Sequence, residues 1–339
     1  MRRVALLLVV LVACVEPAGS DGLDDEHGDF AMGPLVLSKN LRGSLNLPDA
    51  EWMAWLSQQA YLEPEDFEAA VHQVAPDARI SWFFAVSTQA YYVDLGDAAI
   101  LVFRGSEAAT ADWRVNLDTK LVPAVAGNVH LGFDSALSTV WDFSPERFGG
   151  DSLGEPLRLF LGARHGARTS VVDGPDRVDP EPLYITGHSL GGALAMIAYV
   201  RAETDGCFHG EQIFTPSACI LHRPDEPAGW WIPVHAVYTF GAPRIGDSAF
   251  GFAAGAPVGE DDRIIYRFVN GGDIVTDVPT SDHGYSHPIV TSELDFFVHI
   301  HGDEVTIGGI AGFDKPTIAD HNIARYVRNL RNPHLILPN

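Results

Sequence analysis

Apolar positions first return at helical spacing in the N-terminal third. Trp52, Trp55, Leu56 and Tyr61 follow Asp49, which reads as a helix N-cap, and Phe67, Val71 and Val74 follow Pro64-Glu65-Asp66. Both stripes predict amphipathic helices facing a core. The pattern then changes to short β-branched and aromatic runs at 80–87, 90–94 and 98–103, which predict consecutive strands. Helical spacing resumes over 133–141. A strand over 182–186 leads into a helix over 190–202, two further strands cover 234–240 and 263–269, and a last helix covers 320–330. This alternation of strand and helix predicts an α/β domain built on a mostly parallel sheet. Two stretches, 144–180 and 204–233, are crowded with Gly, Pro and Asp and read as surface insertions. There is no internal repeat and no heptad run.

The first residues follow a different rule. Met1, Arg2 and Arg3 precede an apolar run over 4–13, too short to span a bilayer but of the length of an export signal. The run ends in Leu11-Val12-Ala13-Cys14, which resembles the lipobox of bacterial lipoproteins. Residues 1–13 are therefore expected to be a signal peptide and Cys14 the lipidated first residue of an exported protein at the cell surface or outer membrane. Ordinary cleavage nearer Ala18 or Ser20, giving a secreted protein, is the alternative. Residues 14–48, rich in Asp, Gly and Ser, read as a flexible tether, and 49–339 as a single catalytic domain.

The chain of 339 residues, 46% hydrophobic, is long enough to bury a sizeable core. Lys and Arg total 22 against 45 Asp and Glu, a formal charge of −23. That balance excludes nucleic acid as a main partner and leaves an apolar or covalent route as the means of membrane contact. The other two cysteines, Cys207 and Cys219, read in an oxidising compartment as one bridge clamping a loop, with two free thiols as the alternative. Nothing in the pattern speaks to oligomeric state.

The chemistry concentrates in Leu183-Tyr184-Ile185-Thr186-Gly187-His188-Ser189-Leu190-Gly191-Gly192-Ala193. A strand meets a tight turn and a helix follows at once, the G-x-S-x-G nucleophile elbow, in which Gly187 and Gly191 flank Ser189 because neighbouring backbone packs closely there. A serine hydroxyl needs a base, and the base needs a carboxylate to orient it. Asp273 follows the 263–269 strand across Asn270-Gly271-Gly272, at the same sheet edge as Ser189; Asp277 and Asp282 lie further into the loop. For the base, His321 opens the last helix after a Gly-rich loop, with His287 as the rival. The spacing of His283, His287, His299 and His301 lacks the cysteines or close carboxylates of a metal site, so no metal and no cofactor are expected. Acyl transfer also requires donors for an oxyanion: the Leu190 N–H, and Ser106 beyond the 98–103 strand.

Phe103-Arg104-Gly105-Ser106, Asp112-Trp113, Asn116-Leu117-Asp118, Val129-His130-Leu131-Gly132-Phe133, the elbow, and Thr239-Phe240-Gly241-Ala242-Pro243-Arg244-Ile245-Gly246-Asp247 together resemble, in order and spacing, the class 3 (fungal-type) lipase family of α/β-hydrolases. The resemblance implies the α/β-hydrolase fold and places the nucleophile, acid and base on Ser189, Asp273 and His321, with Ser106 and Leu190 in the oxyanion hole. His287 falls in a segment similar to one holding a non-catalytic histidine. The resemblance implies a triacylglycerol lipase acting on ester or lipid substrates. The expected lid, Glu107-Ala108-Ala109-Thr110-Ala111-Asp112-Trp113, is small and acidic rather than broadly apolar, which keeps a short-chain carboxylesterase or feruloyl esterase open. A non-catalytic surface lipoprotein is the reading from another class.

Overall fold

The computed structural model describes residues 33–38, 45–85, 88–106, 119–124, 127–142, 146–148, 156–165, 181–204, 232–255, 265–288, 297–301, 304–307, 317–331 and 334–336. The expectations placed on the leader, Cys14, the 107–113 lid and the Cys207 and Cys219 pair lie outside these residues.

Two helices open the body, α1 (Leu47–Gln59) and α2 (Pro64–Val74), and an antiparallel set follows, β1 (Arg79–Ala85), β2 (Thr88–Asp94) and β3 (Ala99–Phe103). A small hairpin, β4 (Leu121–Pro123) with β5 (Asn128–His130), precedes α3 (Leu131–Trp141), the edge strand β6 (Glu146–Phe148) and α4 (Leu157–His165). Then come β7 (Leu183–His188), α5 (Leu190–Thr204), β8 (Ala236–Phe240), α6 (Ser248–Gly255) and β9 (Ile265–Asn270). The chain closes with β10 (Phe297–His301), β11 (Glu304–Ile307), α7 (Ile323–Arg331) and β12 (His334–Ile336).

Among the described residues the main sheet has ten strands in the order β12-β11-β10-β9-β8-β7-β3-β2-β1-β6. Its middle, β3, β7, β8, β9 and β10, is parallel throughout. The carboxyl ends of these strands therefore emerge at one edge, where ligand sites of open α/β sheets form.

The central strands are fully buried and read as continuous apolar runs because helices cover both faces. Leu101, Phe103, Leu183 and Ile185 face a core shared with α3, α4 and α5. The alternate residue Thr186 faces α1, its hydroxyl 3.1 Å from that of Ser57.

Three expectations are corrected. The first helix begins at Leu47 under an Asn46 cap that accepts from the Asp49 N–H, a cap worth about 1 kcal/mol. Asp49 is instead a buried first-turn residue whose carboxylate takes both the N–H and the hydroxyl of Ser38. The ordered body thus starts before residue 49: Leu35 and Leu37 are buried, and the Leu35 N–H reaches the Val74 carbonyl at 2.8 Å. The 144–180 stretch is also more than surface, since α4 sends Leu157, Phe160 and Leu161 into the main core and β6 extends the sheet. Its Gly- and Pro-rich flanks masked a nine-residue helix. Among the described residues no helix is long and apolar enough to cross a membrane.

Candidate active site

The elbow forms because β7 runs directly into α5 with one residue between them. That residue, Ser189, has φ 56°, the one positive value outside glycine among the described residues. A side chain there costs about 1–2 kcal/mol. The conformation is held by the Ser189 N–H on the Phe240 carbonyl at 2.9 Å and by Gly192 and Ala193 N–H groups on the Ser189 carbonyl. The flanking glycines are required by contact. A Cβ on Gly187 would strike the Gly191 backbone, and one on Gly191 would strike the Phe103 carbonyl.

Asp273 and His321, which the sequence separates by 48 positions, meet at the same edge. His321 Nδ1 lies 3.0 Å from Asp273 Oδ1 and 2.9 Å from Oδ2, and both side chains are buried. A carboxylate only accepts, so Nδ1 carries the proton and Nε2 is left with a free lone pair. Asp273 is held from two further sides. Its Oδ1 accepts the Val275 N–H at 2.9 Å, and its Oδ2 accepts the Tyr326 hydroxyl at 2.6 Å. Tyr326 in turn accepts the Asn270 N–H at 3.1 Å. Burial first, then the Asp273 charge, holds the Tyr326 hydroxyl well above its ordinary range, so it stays a donor.

The loop before α7 is fixed by Asp320. It accepts from the Gly272 N–H and from Arg325, while its carbonyl takes the Asn270 side-chain amide at 2.9 Å. Among the described residues no hydrogen bond joins Ser189 Oγ to His321. Such contacts in ligand-free sites are often long and tighten when substrate binds.

On the other side of Ser189, β3 pairs Phe103 with Gly187 and ends in Arg104-Gly105-Ser106, so Ser106 lies at this edge, and Leu190 begins α5. His188, the residue before Ser189, is buried with Nδ1 2.8 Å from Tyr61 Oη and Nε2 2.7 Å from the His321 carbonyl. Its ring centroid is 4.5 Å from that of His321. Burial, reinforced by His321, keeps the His188 imidazole well below its ordinary value and therefore neutral.

The rivals stand elsewhere. Asp277 is exposed and pairs with Arg244 at 3.2 Å, and Asp282 is exposed in a 3-10 turn. His287 lies beside Arg267 and Arg244, and burial, then those two cations, keep it well below its ordinary value. Among the described residues no group of His, Cys, Asp and Glu could hold a metal ion.

Sequence reading missed Tyr61, Tyr326, Asn270 and Gly241. Gly241 follows β8 at φ +58°, and a Cβ there would sit 2.6 Å from Asp273 Oδ2 and 2.9 Å from His321 Nδ1. The sequence signal for it was the Gly-Ala-Pro turn after a strand; for the tyrosines there was none.

Among solved structures the chain is similar to a lipase from Rhizopus microsporus var. chinensis, at 16% identity over 86% of this chain and 93% of that one, with a TM-score of 0.51. It also matches lipase II from Rhizopus niveus at 18% identity over 75% and 80%, TM-score 0.46. The first of these likenesses shows the fold, that of the α/β-hydrolases. The family model of class 3 lipases matches residues 100–283, more than half of the chain and the part that runs from β3 through the elbow to the loop beyond Asp273. The chain belongs to the class 3 lipase family, and its enzyme class is carboxylic ester hydrolase.

Proposed function

We propose that this protein is an exported triacylglycerol lipase working through Ser189, Asp273 and His321. The observation that carries the reading is the buried Asp273–His321 link at the sheet edge where Ser189 stands on its strained elbow. His321 Nε2 takes the Ser189 proton as Oγ attacks the ester carbonyl. Asp273 holds the Nδ1–H tautomer and stabilises the imidazolium. The Leu190 N–H and Ser106 receive the oxyanion, each such donor being worth about 10² to 10³ in turnover. His321 then protonates the leaving alcohol, and water repeats the sequence on the acyl-enzyme to release the acid. The residues perform this without a metal or organic cofactor.

One sequence feature favours a second reading. The 107–113 segment, with Glu107 and Asp112 among small residues, offers little apolar face to an oil surface, which suits a short-chain carboxylesterase or feruloyl esterase. The test is hydrolysis of p-nitrophenyl esters of increasing acyl length, with and without emulsified triacylglycerol, by wild type and Ser189→Ala. A lipase gives a rate that rises with the emulsion and is abolished in the variant. Preference for soluble short esters with no rise at the interface removes the lipase assignment and leaves the esterase. For location, the reading is a removed signal over 1–13, a lipid on Cys14, a tether up to the body and a bridge between Cys207 and Cys219 in a surface loop. The mass of the mature N-terminus distinguishes a lipidated Cys14 from free secretion.

A further inference from the structure

We infer that Tyr61 and His188 are positioning residues that fix the backbone of His321, and through it the imidazole, against Ser189; this rests on the reading of Ser189 as nucleophile. The geometry sets every proton. The His321 carbonyl oxygen, 2.7 Å from His188 Nε2, only accepts, so Nε2 carries the hydrogen. Nδ1 then has a lone pair alone, and the hydroxyl of Tyr61, 2.8 Å away, donates to it. The direction is unique: Tyr61 to His188 to the His321 carbonyl.

His321 needs such a tie. It ends a 3-10 turn and precedes an extended Asn322, so its carbonyl is not taken up by α7, which starts at Ile323. A buried carbonyl left without a partner is costly, and the His188 ring is placed to meet it. The same Tyr61 hydroxyl lies over Gly105, where a Cβ would strike it, one residue from Ser106. One hydroxyl just beyond α1 thus abuts the segment expected to hold the oxyanion and reaches the base loop through the His188 ring. Being neutral, His188 can keep its single donor on the carbonyl while His321 gains and loses a proton beside it.

The test uses the full chain with Tyr61→Phe, His188→Phe and His188→Gln, and Tyr92→Phe as a variant of a buried tyrosine away from this edge. kcat and KM are measured on a soluble p-nitrophenyl ester, together with Tm and the 15N shifts of the histidine rings. A misplacement of the base of well under 1 Å is expected to lower kcat about tenfold in Tyr61→Phe and about 10²-fold in His188→Phe, with KM within about twofold. His188→Gln, whose amide can still donate to the carbonyl, is expected to recover most of the loss. Tyr92→Phe is expected to lower Tm and leave kcat unchanged. Wild-type kcat in Tyr61→Phe, equal losses in the Gln and Phe variants, or an equal kcat loss in Tyr92→Phe overturns the inference. If wild type cleaves no ester, the functional reading fails by itself and the ring shifts decide: a proton on His188 Nε2 whose resonances change in Tyr61→Phe supports the tie, and a proton on Nδ1 refutes it.

Discussion

His165 and His188 occupy the same surroundings with the ring reversed. Each is a buried imidazole between a tyrosine hydroxyl and a backbone carbonyl. His165 has Nε2 on Tyr92 Oη at 2.8 Å and Nδ1 on the Glu181 carbonyl at 3.1 Å, while His188 has Nδ1 on Tyr61 and Nε2 on the His321 carbonyl. The first pair meets β7 near its amino end and the second at its carboxyl end. Neither ring is hydrogen-bonded to a carboxylate, and burial holds both below their ordinary value. His321, also buried, has Asp273 where the others have a carbonyl. The difference teaches that the partner, and not burial, sets what a buried ring is suited to. A carbonyl and a hydroxyl fix the tautomer of a neutral ring, whereas a carboxylate offsets the positive charge of an imidazolium, as the proposed base requires.

The strongest way to break the contrast is Asp273→Asn, which turns the partner of His321 into something closer to that of His165. kcat is expected to fall about 10⁴-fold as the ring adopts the wrong tautomer, with Tm little changed. A variant that kept a tenth of the wild-type rate would end the carboxylate's part in the account. Next in size is Gly241→Ala, which leaves the three histidines in place but pushes on the Asp273–His321 contact from outside. Turnover should drop about 10²-fold, with about 1–3 kcal/mol of strain visible in urea unfolding; a fully active, equally stable alanine variant would mean the turn yields freely.

The smallest effect concerns pH. His165 and His188 have folded values below that of the unfolded chain, near 6.5. Below that pH the unfolded chain takes up protons that the folded one refuses. The contribution to stability is therefore complete above about 6.5 and declines as pH falls, by at most about 1.4 kcal/mol per pH unit for each ring. Urea midpoints measured from pH 7 to 5.5 should fall, and less steeply in His165→Gln; an unchanged slope would show that His165 protonates in the folded state.

What the sequence disclosed about this edge follows from locality. The elbow is one contiguous run, Asp273 stands a turn beyond a strand, and His321 stands just ahead of a helix, so each carries its signal within a dozen residues. Tyr61 and Tyr326 carry none, because a tyrosine on a helical stripe reads as core and its hydroxyl meets His188 or Asp273 only after the sheet is assembled. The alternation of strands and helices was plain for β3, β7 and β8, where long apolar runs leave no other reading. It failed for α4, whose buried Leu157 and Phe160 are set among turn-forming residues, and for β11 and β12, whose few residues cannot establish a period.

The stretch from 100 to 283 holds Ser189 and Asp273 but reaches neither Tyr61 nor His321. A graft limited to that stretch would transplant the proposed nucleophile and its carboxylate without the imidazole that Asp273 binds. A product truncated before residue 317 would therefore keep Asp273 and lose the imidazole it binds, the proposed proton carrier.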